Sequence, residues 1–302
     1  MAPNPPGADT GSVTVRACAK INLYLHVAGK RADGYHELDS LIVFAGTGDV
    51  VVLESAGDLT FNAAGPRGAD VPPGDDNLVM KAARTLAAHA NVRHGARIVL
   101  EKHLPAASGI GGGSADAAAA LIGLRALWGL DIATQELCDI GLALGADVPI
   151  CVHGQAAFVG GIGEVFAPVP ALPPCWFVLA NPGVPVETAR VFARRTGAFS
   201  APAPFRSSPE DAAAFAALLR GRRNDLAEPA QAIAPVIGDA LRALESCDGA
   251  LLARMSGSGA TCFALFGTEA EARAAARHLR QRQSGWWIEA APLLSDTAGF
   301  QG

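Results

Sequence analysis

The 302-residue sequence contains no run of eighteen uninterrupted apolar residues, so nothing in it predicts a membrane-spanning helix. Long basic runs are also missing. The 24 lysines and arginines against 29 acidic residues leave a formal charge of −5, which argues against a nucleic-acid footprint. The opening MAPNPPGADTGS has neither the basic start nor the apolar core of a signal peptide. Residues 1–12 read as a flexible tail, and the chain is expected in the cytoplasm. The cysteines (Cys18, Cys138, Cys151, Cys175, Cys247 and Cys262) form no C-x-x-C pair and no metal-ligand spacing. They read as small buried hydrophobes in a reducing compartment. Charged residues are scarce at 18% while half of the chain is apolar, enough for a substantial core and against disorder.

What is present is a mixture of strand and helix patterns without regular alternation. SVTVRACA, NLYLHV, LDSLIVF and DVVVLES alternate like strands, separated by Gly and Asp turns. DNLVMKAARTLAAHA has helical spacing with Asp75 or Asp76 as its N-cap. A strand over 96–102 leads into a glycine-rich loop and a helix from about Ser114 to Trp128. TQELCDIGLAL reads as a further helix, VPICVHG and AAFVGG as short strands. The proline-rich stretch 167–175 marks a boundary. Beyond it strands (WFVLA, GALLARM, TCFALF, WWIEAA) mingle with helices, the last being EAEARAAARHLRQRQ. The pattern predicts an α+β protein of two domains, 13–165 and 166–302, rather than a doubly wound parallel sheet.

The stretch LPAASGIGGGSADAA places four glycines in five residues directly before a helix. A helix start leaves amide N–H groups unpaired and carries partial positive charge, and glycines let a ligand approach bare backbone. A polyphosphate is the ligand such a loop suits. Ser114 fits the N-cap, or a hydroxyl contact to phosphate or its magnesium. Asp116, in the first turn, would repel phosphate unless a cation intervened. No Gly-Lys-Ser/Thr follows, so this is not a Walker A loop, and a dinucleotide fingerprint would lack its third glycine. Taken alone, the loop is equally an ordinary strand-to-helix turn.

Other candidates lie far away in sequence. Lys20 and Asn22 share one face of a strand by its period of two, opposite Ile21 and Leu23. The Asp-Gly turn of RADGYH leaves Tyr35 and His36 as an aromatic pair able to stack on a planar ring. Asp147 follows a helix end, where it either binds turn amides or accepts a proton from an alcohol. MSGSGATCF is a second small-residue loop. Each feature has a bland alternative: a solvated edge lysine, a surface histidine, a capping aspartate, a tight hairpin.

Together, AKINLYLHVAGKRADGYHEL, DNLV, LPAASGIGGGSADAA, LGADVP and MSGSGA, in this order, resemble the GHMP kinase superfamily over nearly the whole chain. The GYH ending points to the branch acting on a cytidine-diphosphate-linked methylerythritol in the non-mevalonate route to isoprenoid precursors. The resemblance implies a ribosomal-protein-S5-like first domain, a ferredoxin-like second domain and a cleft between them. It implies ATP and Mg2+, with Lys20 and Asp147 as catalytic residues. Pro105, Ala106, Ala107, Ser108, Gly109, Ile110, Gly111, Gly112, Gly113, Ser114 and Ala115 correspond to the ATP loop, and Asn77 and Lys102 to positions near the nucleotide. Asn22, Tyr35, His36 and Thr188 correspond to substrate positions. Two features depart from the pattern. Ala107 and Ser108 stand at positions commonly filled by glycine or alanine, and Ala115 replaces a second serine, leaving Ser114 as the hydroxyl at the helix start. A homoserine- or mevalonate-type kinase and a nucleotide-binding regulator without catalysis are the competing expectations, with a nicotinamide oxidoreductase behind them. The direct metal ligands and the oligomeric state are not legible.

Overall fold

A computed structural model describes residues 11–300. Residues 1–10 of the expected tail lie outside the described residues, and Ser12 already opens the first strand. Among the described residues, no helix is long and apolar enough to cross a membrane.

Two long antiparallel strands form the spine. β1 (Ser12–Lys30) and β2 (His36–Ala56) pair from Ser12↔Glu54 to Lys30↔His36, with register shifts after Cys18, Asn22 and Val27. Each replaces two shorter strands expected from the sequence, because bulges carry the ladder through the breaks. β2 then pairs along its length with three further strands: β5 (Ala157–Gly161), β10 (Trp287–Leu294) and β4 (Gly95–Glu101). β3 (Thr60–Ala64) adds a parallel edge to β4, and β6 (Val165–Pro168) pairs with β5. Through β10 the sheet continues to β7 (Trp176–Asn181), β9 (Cys262–Phe266) and β8 (Leu252–Met255), all antiparallel.

Helices α1 (Leu78–His89), α2 (Gly112–Leu127), α3 (Thr134–Leu142) and α4 (Val148–His153) share the first hydrophobic core. The alanines of α2 let it lie close to the sheet. A Cβ on Gly123 would collide with Leu53 and crowd Val15. α5 (Thr188–Arg194), α7 (Ala227–Ile233), α8 (Val236–Glu245) and α9 (Glu269–Arg282) lie with the second core, around Val178, Ala264 and Phe266. A third cluster joins Ile21, Leu23 and Ile110 to Phe177, Phe263 and, from α6 (Ala212–Arg220), Phe215.

Two local expectations are corrected. VPICVHG is not a strand but α4, with Pro149 in its first turn and a left-handed Gly154 ending it. Every residue from Val148 to Val152 is buried, and a short run that is apolar on all sides has no period to separate helix from strand. The N-cap of α1 is Asn77, whose Oδ1 accepts Val79 N at 2.8 Å, rather than Asp75 or Asp76.

The proline-bearing loop 199–211 is docked on β1. Ser200 N donates to Val27 O, Ala203 N to Asp39 Oδ2, and Phe205 is buried. Asp225 anchors it, accepting from Val27 N (2.8 Å), Ser200 Oγ (2.6 Å) and Arg223 Nε (2.6 Å). Burial opposes its charge, but these donors outweigh burial and hold the carboxyl below its usual range. A depressed folded value stabilises above the ordinary range and is lost as pH falls through it. The stability gap between wild type and Asp225→Asn should therefore be full at neutral pH and shrink below about pH 4 in urea titrations.

Candidate active site

The site is assembled where β1, the glycine loop and the start of α4 meet. Period two turns Lys20 and Asn22 the same way, and both are buried. Lys20 Nζ donates to Asn22 Oδ1 and to Asp147 Oδ2, each at 3.0 Å. Asp147 precedes α4 but makes no side-chain cap, so its carboxylate is free to turn to Lys20. Its side chain is 45% exposed against 5% for Lys20: the acid faces out, and the lysine backs it. Oδ1 of Asp147 has no partner among the described residues.

The glycine loop is pinned to the same strand. Lys20 N donates to Ile110 O at 3.0 Å, and a Cβ on Gly111 would stand 3.3 Å from the Lys20 side chain. Gly111, at φ 64°, is the N-cap of α2 and caps nothing with a side chain. The helix therefore starts before Ser114, which lies in its first turn and not at the N-cap. Ala115 N closes the first turn on Gly111 O, so the amides of Gly112, Gly113 and Ser114 precede the helical ladder. Gly113 is exposed and Ser114 half-buried, whereas Ile110, Gly112 and Ala115 are buried. Earlier in the loop Ala106 and Ala107 are exposed, while the Ser108 hydroxyl turns back onto Pro105 O at 2.7 Å.

The second small-residue loop locks the first. Ser256 Oγ accepts from Asn22 N and donates to Gly109 O, both at 3.1 Å, and Thr261 N donates to Ser108 O. A Cβ on Gly109 would lie 2.6 Å from Ser256 O and one on Gly257 2.6 Å from Gly109 O. These two positions need glycine for close backbone approach. Thr188 joins the group through a 2.8 Å contact between its hydroxyl and that of Ser258.

Beneath the start of α2 lies a buried charge triad. Lys102 Nζ reaches Asp49 Oδ2 at 2.5 Å and Asp116 Oδ2 at 2.6 Å, and Asp49 Oδ1 accepts His103 N and Leu104 N. Asp116 Oδ1 is buried without a partner. Burial raises the Asp116 carboxyl above its usual range, with Lys102 opposing and Asp49 adding to the rise. Burial disfavours the Lys102 charge, yet the two carboxylates outweigh it and raise its pKa. The cation that faces Asp116 is thus Lys102. Asn77 is also committed, to Val79 N and Pro72 O, although Leu78 lies 3.6 Å from where a Gly113 Cβ would be.

At the far end of β1, Tyr35 is 60% exposed. The His36 ring stacks on Phe192 with centroids 4.9 Å apart and planes 23° from parallel. An open groove of about 810 Å3, lined by Arg16, His103, Trp286 and Trp287 among others, contains neither Lys20 nor Asp147.

Models for the GHMP kinases N terminal domain and the GHMP kinases C terminal domain match residues 77–155 and 205–284. A 4-diphosphocytidyl-2-C-methyl-D-erythritol kinase of Paramagnetospirillum magneticum is 52% identical, covering 94% of this chain and 99% of the relative. The chain belongs to the GHMP kinases. A Rhodospirillum rubrum protein of the same name is 48% identical over 97% of this chain and 96% of its own. The crystal structure of a 4-(cytidine 5'-diphospho)-2C-methyl-D-erythritol kinase superposes at TM-score 0.77 with 34% identity, covering 93% of this chain and 99% of that one. A homoserine kinase from Cytophaga hutchinsonii shares the fold at TM-score 0.72 and 16% identity, over 97% and 98% of the chains.

Within this GHMP kinase, three contributors lie outside the sequence reading: Asp49, Ser40 and Phe192. Asp49 heads an apolar strand run, where a lone acid is a signal in itself. Ser40, which accepts Asn22 Nδ2 at 2.8 Å, carries no such mark, and Ser256 belongs to the MSGSGATCF loop already singled out. Phe192 follows Thr188 by one helical turn, a spacing that could have flagged it.

Proposed function

We propose that this chain transfers the γ-phosphoryl group of ATP to the 2-hydroxyl of 4-diphosphocytidyl-2-C-methyl-D-erythritol, a step of isoprenoid precursor biosynthesis. The single observation that carries the mechanism is the 3.0 Å Lys20–Asp147 pair next to the loop that opens α2. The names of relatives near 50% identity over nearly the full length support the substrate.

In this reading the amides of Gly113 and Ser114, which precede the helical ladder, and the partial charge of α2 hold the triphosphate. Asp147 Oδ1, the oxygen not taken by Lys20, accepts the proton of the attacking hydroxyl. Lys20 stabilises negative charge on the entering and transferring oxygens, and Asn22 holds its ammonium in line. Phosphoryl transfer is loose and rich in peripheral charge, so positioning and electrostatics carry most of the effect.

Among the described residues, no group of three or more His, Cys, Asp or Glu side chains is placed to hold a metal. The Ser114 hydroxyl, in the first turn of α2, is the side chain that would contact phosphate-bound magnesium. When bound, the ion would neutralise charge on the phosphates.

The direct test is incubation with ATP, magnesium and the cytidylated methylerythritol, with homoserine and mevalonate as rival acceptors, followed by phosphorus NMR. A new phosphate on the 2-position is expected. Turnover of a rival acceptor alone, or ATP binding with no transfer to any of the three, would defeat the proposal.

Tyr35 offers an exposed ring for the cytosine, and base–aromatic stacking is worth about 1–3 kcal/mol. Tyr35→Ala should raise the KM for the cytidylated substrate by about 5- to 150-fold with kcat little changed. An unaltered KM would remove Tyr35 from the pocket.

A further inference from the structure

Two cations near the aromatic end of the site are left without an acid. Lys30, the last residue of β1, pairs across the ladder with His36 and is exposed. Arg195 follows α5, three residues beyond the Phe192 that stacks on His36. The His36 imidazole is held below its ordinary pKa first by burial and then by the charges of Lys30 and Arg195. Both cations therefore bear on the same ring.

Two nearby basic residues are paired locally, Arg31 with Asp33 at 3.2 Å and Arg223 with Asp225 at 2.6 Å. Among the described residues, no ion pair joins Lys30 or Arg195 to a carboxylate. Arg195 is nevertheless held in place. Its Nη2 donates to Ala198 O at 2.5 Å, and its guanidinium lies 5.1 Å from the centre of the Phe199 ring. Its Nε is buried and donates to nothing. In a chain of net charge −5, an arginine fixed by its surroundings but short of an acceptor, beside an unpaired lysine, is arranged for an anion.

The aromatic groups beside it narrow the anion. Tyr35 offers an exposed flat surface for a base beside the stacked His36 and Phe192 rings, and a nucleoside diphosphate carries its phosphates within a few bonds of that base. Guanidinium and ammonium groups bind phosphate oxygens by charge-assisted hydrogen bonds. We propose that Lys30 and Arg195, approaching His36 from β1 and from the end of α5, bind the diphosphate bridge of the cytidylated substrate. This rests on the cytidine-linked reading of the site. It assigns the two residues to substrate affinity, not to the ATP loop.

The test is calorimetric titration with cytidine and with CDP, keeping the ATP site filled by a non-hydrolysable ATP analogue. Wild type should bind CDP more tightly than cytidine, with a preference that falls as salt is added. Lys30→Ala and Arg195→Gln should each weaken CDP binding by about tenfold or more and leave cytidine binding unchanged. Arg195→Lys should recover part of the loss. Should CDP bind the double variant Lys30→Ala/Arg195→Gln as tightly as wild type, the diphosphate assignment fails while the cytidine reading survives. Equal loss of cytidine and CDP would also overturn it, by showing that the two residues merely support the aromatic surface. A wild type that binds neither probe would overturn both readings.

Discussion

Replacing Asp147 with asparagine is expected to lower kcat by about a hundred- to ten-thousand-fold, with folding and ATP affinity retained. The substitution keeps the shape, and with its amide oxygen in the place of Oδ2 Lys20 still finds an acceptor at the start of α4 while an NH2 group replaces Oδ1. What disappears is the ability of that group to take the hydroxyl proton, together with its negative charge beside Lys20. Lys20, 5% exposed, loses its counter-charge but keeps Asn22 Oδ1 and the amide oxygen as acceptors, so some stability is lost as well, and urea titration separates that loss from the loss of turnover. Single-turnover measurement with saturating ATP and acceptor checks this, alongside ATP titration by fluorescence. Lys20→Ala should lose turnover as well, but for another reason. Lys20 is buried, and its removal leaves Asn22 Oδ1 without its donor. Asp147→Asn is therefore the cleaner probe. Activity within a few-fold of wild type would exclude Asp147 as the base.

Parts of this arrangement could be read from residues alone, and the reasons differ from part to part. Lys20 and Asn22 fall on one face because a strand repeats every two residues, and the side chains do meet. Asp147 could be nominated from its place after a helix, yet its pairing with Lys20 spans 127 positions and became an expectation only through family resemblance. Ser114 was misplaced because side-chain caps are the usual sign of a helix start. Here Gly111 takes the left-handed conformation, and the helix begins with its amides uncapped. α4 looked like a strand because burial on every side erases periodicity. Asp49 was passed over for the same distance reason as the Lys20 pair: its cation lies 53 residues on. Local rules reach capping and alternation, whereas convergent side chains depend on the tertiary fold.

Lys102 shows most clearly how the two levels diverge. The family resemblance puts it near the nucleotide, and the fold buries it between Asp49 and Asp116 at the start of α2. Lys102→Met should cost about 3–5 kcal/mol in urea titration followed by tryptophan fluorescence, the range for stranding buried charge. The loss follows from leaving two carboxylates together without a cation, one of them with an oxygen already unpartnered. Adding Asp116→Asn should therefore restore part of the stability, because one stranded carboxylate is gone. The double-mutant cycle then shows coupling instead of additivity. A direct nucleotide ligand would behave otherwise: the KM for ATP would rise with stability intact, and Asp116→Asn would bring no recovery. The triad also lies directly under the glycine loop, since a Cβ on Gly112 would stand 3.3 Å from Lys102 Nζ. In the folded fraction of Lys102→Met, a loosened α2 start should weaken ATP binding less than the stability loss would suggest. Its amides are still uncapped, and only the platform beneath them has changed.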